Sequence, residues 1–155
     1  LGKIGAENHL AIGVDVGGTT MRAAIVGTSG DLHESFHQPS PRTPSALREF
    51  VHSVLESTKL PVRGIGIGCK GIIDGTSTRV KSLPGDLHFL EGRLLSDVVG
   101  AGDLSVYAEN DARAALVAEA LWGAARGRRN VVMLTLGTGI GGAALVDGRI
   151  LCGAS

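Results

Sequence analysis

Glycine placement constrains this chain more than any other feature. Its 24 glycines gather in Gly13–Val14–Asp15–Val16–Gly17–Gly18, in residues 64–71 and in residues 137–142. Glycine at the end of an apolar run supplies a tight turn or a close backbone approach to a ligand. The pattern therefore predicts strands that end at turns built to meet something small.

Residues 10–16 and 21–26 are apolar and β-branched, and 31–37 is a weaker third run, which predicts a three-stranded antiparallel opening. Thr43 and Pro44 supply a cap and a first-turn proline. Leu47, Phe50, Val51, Val54 and Leu55 then recur at helical spacing before Pro61. Further on we expect a strand at 62–68, a turn at Asp74–Gly75, a short helix at 94–99 and a strand at 104–108. Residues 111–125 are alanine-rich and predict a helix stopped by Gly127, with Leu116, Leu121 and Trp122 available for packing. Val131–Leu136, a glycine turn and Ile140–Val146 repeat the strand-turn-strand of the opening, so a second domain is expected to begin here. The expected organisation is a loose segment at 1–9, an α/β domain over 10–126 and the start of a similar domain over 127–155.

With 43% hydrophobic positions in 155 residues the chain can bury a core. Lys plus Arg equals Asp plus Glu at 15 each, a balance that asks for neither nucleic acid nor an anionic membrane. Cys69 and Cys152 lack CxxC spacing and accompanying histidines, which predicts no disulfide framework or zinc site and a reducing, cytoplasmic setting. No apolar run is long enough to span a bilayer as a helix.

Asp15–Val16–Gly17–Gly18–Thr19–Thr20 lies between two strands, unlike a dinucleotide fingerprint or P-loop, which runs from strand into helix. It reads either as an ordinary hairpin turn or as a phosphate-binding turn. In the second reading Gly17, Gly18, Thr19 and Thr20 present N–H and hydroxyl groups to phosphate, and Asp15 holds hydrated Mg2+ through water. Gly137, Thr138, Gly139, Gly141 and Gly142 have the same shape, so two facing hairpins could hold one polyphosphate. Asn110–Asp111 falls where a strand gives way to a helix, a place that helix capping explains. The alternative is chemical: Asp111 accepts the proton of a substrate hydroxyl attacking a γ-phosphate, and Asn110 bonds a neighbouring hydroxyl. The helix N-terminus favours an ionised Asp111.

Taken in order, Gly13 to Arg22, Glu109–Asn110–Asp111–Ala112 and Leu136 to Gly142 resemble the ROK family of bacterial sugar kinases and repressors. The resemblance runs from about Leu10 onward and includes Leu83–Pro84–Gly85. It implies the actin-like, hexokinase-like pair of ribonuclease H-type domains, closing over a sugar, with ATP and Mg2+ at the two glycine hairpins. It also implies Asp111 as catalytic base, Asn110 and Gly71 at the sugar, Arg22 as a basic position after the first turn, and a homodimer. By the same resemblance the Glu-x-Gly-His sugar segment, the cysteine-rich zinc site and the adenine pocket fall beyond Ser155, and the chain is expected to be a first half.

Four positions depart from the family pattern. Cys69–Lys70 replaces a small residue and proline, Asp86 stands where many glucokinases have tryptophan, and Ser82 replaces an asparagine. A lysine at 70 is expected to alter sugar preference. The rival expectations are a sugar-sensing repressor, for which the roughly ten residues before the first strand leave too little for a helix-turn-helix, and a non-catalytic sugar-binding fragment. His33 and His37 are expected to be exposed, Cys69 a partly buried filler, Trp122 a packing residue, and Arg126, Arg128 and Arg129 a solvated loop.

Overall fold

The computed structural model describes residues 9–137 and 139–153. β1 (Leu10–Val16), β2 (Thr20–Gly27) and β3 (Leu32–Pro39) form the expected antiparallel meander. α1 (Pro44–Ser57) follows, with the Thr43 side chain accepting from the Ala46 amide at 3.2 Å and Pro44 in the first turn. The chain leaves helical geometry at Thr58, ahead of Pro61.

β4 (Val62–Cys69) returns parallel to β1. A hairpin of β5 (Ile72–Asp74) and β6 (Arg79–Ser82), a short 3-10 turn at His88–Leu90 and α2 (Leu95–Val99) lead to β7 (Ser105–Asn110), which pairs parallel to β4. The resulting sheet has the order β3-β2-β1-β4-β7. Only the turn of the β5–β6 hairpin was expected, because strands of three and four residues are too short to establish a two-residue period.

Alternation along β1 sends Leu10, Ile12, Val14 and Val16 to one face, all fully or nearly buried. Leu47, Phe50, Val51 and Val54 of α1 and Leu95, Val98 and Val99 of α2 join them in one core. The Asp111–Trp122 helix (α3) is three residues shorter than expected. It ends at Gly123, whose amide donates to the Glu119 carbonyl, while the Glu119 carboxylate reaches forward to accept from the Ala124 amide. Gly127 therefore lies in the turn beyond the helix and does not stop it. Leu116 is buried as expected, whereas Leu121 and Trp122 are about half exposed. Trp122 is not a core residue: its indole lies against Gly30, where an added Cβ would stand 2.7 Å from the ring.

β8 (Val131–Leu136), β9 (Ile140–Val146) and β10 (Arg149–Ile150) form a separate three-stranded antiparallel sheet. α3 packs against it through Ala112, whose Cβ would lie 3.7 Å from a Cβ on Gly141. Among the described residues no helix is long and apolar enough to cross a membrane.

Candidate active site

The three parallel strands end level with one another. Asp15 pairs with Gly68 and Gly68 with Glu109; Val16 pairs with Cys69 and Cys69 with Asn110. Turn 17–19, loop 70–71 and the start of α3 thus leave the same sheet edge side by side. The carboxyl ends of parallel strands in an open α/β sheet are where ligands collect.

Turn 17–19 is held from below by Ser40, a residue the sequence did not single out. Its hydroxyl donates to the Gly17 carbonyl and its amide to the Thr19 carbonyl at 3.0 Å. A serine just after a strand carries no distinguishing local signal. Gly17 cannot carry a side chain, since a Cβ would stand 2.7 Å from the Thr20 carbonyl oxygen. Thr19 is exposed at the tip, and Thr20 begins β2.

Asn110 performs the capping that its position suggested. Its side-chain oxygen accepts from the Ala112 and Arg113 amides at 3.1 and 3.2 Å, and its side-chain nitrogen donates to the Gly71 carbonyl at 3.1 Å. One side chain therefore ends a strand, starts a helix and ties down the loop after β4. Asp111 is exposed, with one carboxylate oxygen accepting from the Ala112 amide at 2.8 Å. Glu109 beside it accepts from the Asn110 amide at 2.7 Å and pairs with Arg113 at 3.2 Å.

Asp15 faces a cleft of about 1330 Å³ along the face of the sheet away from α1, together with Arg22, Gly66, Glu109, Asp111 and Thr135. Burial raises the Asp15 carboxyl above its ordinary 3.8; Arg22, at 3.7 Å, opposes this, and the Asp111 charge adds to it. A raised carboxyl contributes stability that is complete below the unfolded value and is lost as pH rises through the folded one. Asp15→Asn should accordingly raise Tm at about pH 7 by roughly a degree or two, the group being half exposed. The gain should vanish near about pH 3.5, as thermal unfolding of both forms at the two pH values would show.

No cluster of three or more His, Cys, Asp or Glu suited to a metal occurs among the described residues. Mg2+ is often held by one or two carboxylates together with substrate phosphates and water, and Asp15 fits that manner of binding. Cys69 is fully buried, and burial first, then the Asp111 charge, pushes its thiol up to about 12, so it stays protonated and unreactive.

His33 and His37 are exposed on β3, His33 lying 2.8 Å from Asp31. A second pocket of about 320 Å³ shares no residue with the cleft. Its Arg48 and Arg93 already donate to the Val98, Asp97 and Phe89 carbonyls.

The second glycine motif divides in two. Gly137 and Gly139 form the β8–β9 turn, the Gly137 amide donating to the Gly139 carbonyl at 2.9 Å, and Thr138 lies outside the described residues. Gly141 and Gly142 stand within β9, opposite Thr135 and Leu134. A Cβ on Gly141 would meet the Thr135 hydroxyl at 2.5 Å. That glycine lets β9 approach α3 at Ala112, next to Asp111.

An antiparallel meander continued by two parallel strands, with helices between, is the ribonuclease H-type sheet of the actin-like ATPase fold. A structure of a ROK family glucokinase from Streptomyces griseus, in complex with glucose and AMPPNP, superposes with a TM-score of 0.83 at 32% identity, covering 93% of this chain and 46% of that one. Glucokinase of Streptomyces coelicolor is 33% identical over 143 residues, 91% of this chain and 45% of its own length. N-acetylmannosamine kinase of Citrobacter koseri is 36% identical over 149 residues, 93% of this chain and 50% of its own. The ROK family model matches residues 11–155, and the chain belongs to that family. It spans about half the length of these relatives.

Proposed function

We propose that the chain supplies the acceptor side and the first phosphate turn of an ATP-dependent kinase for a hexose or N-acylhexosamine. The observation that carries this reading is the convergence of turn 17–19, Gly71, Asn110 and Asp111 on one sheet edge, with an exposed carboxylate at the start of a helix.

In the reaction, Asp111 takes the proton of the attacking hydroxyl as that oxygen forms a bond to the terminal phosphorus of ATP. The bond to the bridging oxygen breaks, and ADP leaves with the electron pair. The Ala112 amide donates to one Asp111 oxygen and fixes the carboxylate at the start of the helix, leaving the other oxygen to take the proton. Asn110 retains one side-chain N–H for a sugar hydroxyl after bonding Gly71. Turn 17–19, with Thr19 exposed, and the turn at Gly137–Gly139 offer amides and hydroxyls to the phosphates. Mg2+ would neutralise phosphate charge, with Asp15 the residue to hold its water shell.

Residues 127–155 belong in this reading to a second domain. Their sheet is separate, and Val132, Leu134, Leu136 and Ile140 are 69–81% exposed on it, an apolar surface that further chain would cover. A cytoplasmic setting, where ATP is available, and a homodimer complete the proposal.

The test is a coupled ATP-to-ADP assay with magnesium against glucose, mannose, fructose, N-acetylglucosamine and N-acetylmannosamine. It compares the 155-residue chain with a form extended to the length of its relatives. Sugar-dependent turnover confined to the extended form is the expected result. ADP production by neither form, with any sugar, would leave a sugar-binding or regulatory role in its place.

A further inference from the structure

Lys70 stands where the family pattern calls for proline, and it has no structural employment among the described residues. Among the described residues its ammonium makes no hydrogen bond or ion pair, whereas Arg22, Arg42, Lys81 and Arg113 each have a carboxylate partner. The side chain is partly buried. Its Nζ lies 3.7 Å from where a Cβ on Gly18 would be and 3.4 Å from the same point on Gly85. The ammonium therefore bridges the first phosphate turn and the Leu83–Pro84–Gly85 turn, two loops more than sixty residues apart in sequence.

Both contacted residues lack side chains, so the charge is unobstructed from either loop. Gly85 has φ +91, a conformation that favours glycine, and its carbonyl is already taken by the His88 amide and the His88 ring at 3.0 and 3.1 Å. That carbonyl is occupied, and an added anion is left as the natural counter-charge. A lysine ammonium is a compact, strongly hydrated cation, costly to hold half buried without such a partner.

We propose that Lys70 and the Gly18 turn form an oxyanion site, and that its occupant is the terminal phosphoryl group of the donor. The proposal rests on the kinase reading for the identity of the donor but not for the existence of the anion site. The donor is favoured over a charged substituent on the acceptor because Gly18 belongs to the turn that binds phosphate in that reading. Lys70 takes no proton in the reaction. It attracts the oxygens on which negative charge is carried during transfer, the role a fixed cation serves in phosphoryl transfer.

The probe is inorganic tripolyphosphate, titrated into the 155-residue chain and followed by amide NMR. The expected result is that the Gly18 and Gly85 amides shift together, that Lys70→Met weakens binding about tenfold or more, and that Lys70→Arg largely restores it. Retention of the wild-type amide pattern outside the two loops verifies that Lys70→Met is folded. Unchanged tripolyphosphate binding in Lys70→Met overturns the proposal. So does a Lys70-dependent response to glucuronate with none to tripolyphosphate, which would assign the anion to the acceptor. The readout needs no turnover: a failed kinase assay with Lys70-dependent tripolyphosphate binding removes the kinase reading and leaves the anion site standing.

Discussion

Asp111→Asn is expected to lower kcat of the extended protein by a hundredfold or more, with the Tm and the KM for sugar nearly unchanged. General bases contribute roughly 10²–10⁴ to rate, and an amide cannot accept the proton. Stability should survive because Asp111 does not cap α3: Asn110 does, through the Ala112 and Arg113 amides. The Ala112 amide, now bonded to an Asp111 oxygen at 2.8 Å, finds the same acceptor in an asparagine. Steady-state kinetics beside thermal unfolding separates the two effects. Intact turnover in the variant would remove Asp111 from the chemistry, and a matching loss of Tm would make it a structural residue.

The second large effect is expected at Gly71. It has φ +88, and an added Cβ would lie 2.2 Å from the Ser82 carbonyl oxygen and 3.1–3.2 Å from atoms of Leu83. Neither neighbour can easily give way, since Leu83 is fully buried and its amide is bound by the Glu91 carboxylate at 2.6 Å. A left-handed conformation costs a non-glycine residue about 1–2 kcal/mol, and overpacking typically adds about 1–3. Gly71→Ala should therefore destabilise the chain by roughly 2–5 kcal/mol, a large share of the about 5–15 available to a domain. The Gly71 carbonyl also accepts from Asn110, so displacing the loop should loosen the start of α3 and move Asp111. Urea unfolding of the 155-residue chain reads the first effect as a lowered midpoint; a midpoint equal to wild type would refute the steric argument.

Sequence reasoning succeeded where the signal is periodic or local. β1 and β2 are legible because their apolar residues alternate, and α1 because its cap, proline and apolar spacing agree. It failed at the end of α3, where alanine continued the helical pattern past Gly123 while the Glu119 carboxylate reaches forward to the Ala124 amide beyond the last turn. It failed for Trp122 as well, because helical spacing says that a residue shares a face with Ala115 and Ala118 but not whether anything lies opposite. What lies there is a glycine turn from the far end of the β2–β3 hairpin, covering part of the indole and leaving half of it in solvent.

The candidate site divides along the same line. Glycine turns at strand ends, an Asn-Asp pair at the start of a helix and a lysine in place of proline are properties of neighbouring residues, and the sequence by itself determined them. Only the tertiary structure decided that Val16, Cys69 and Asn110 stand level, that Asn110 binds Gly71 across 39 positions, that Ser40 holds turn 17–19, and that Lys70 lies between Gly18 and Gly85. The physical reason is register. The spacing of side chains along a strand sets which face they occupy, but the level at which two distant strands end is settled by sheet pairing and core packing together.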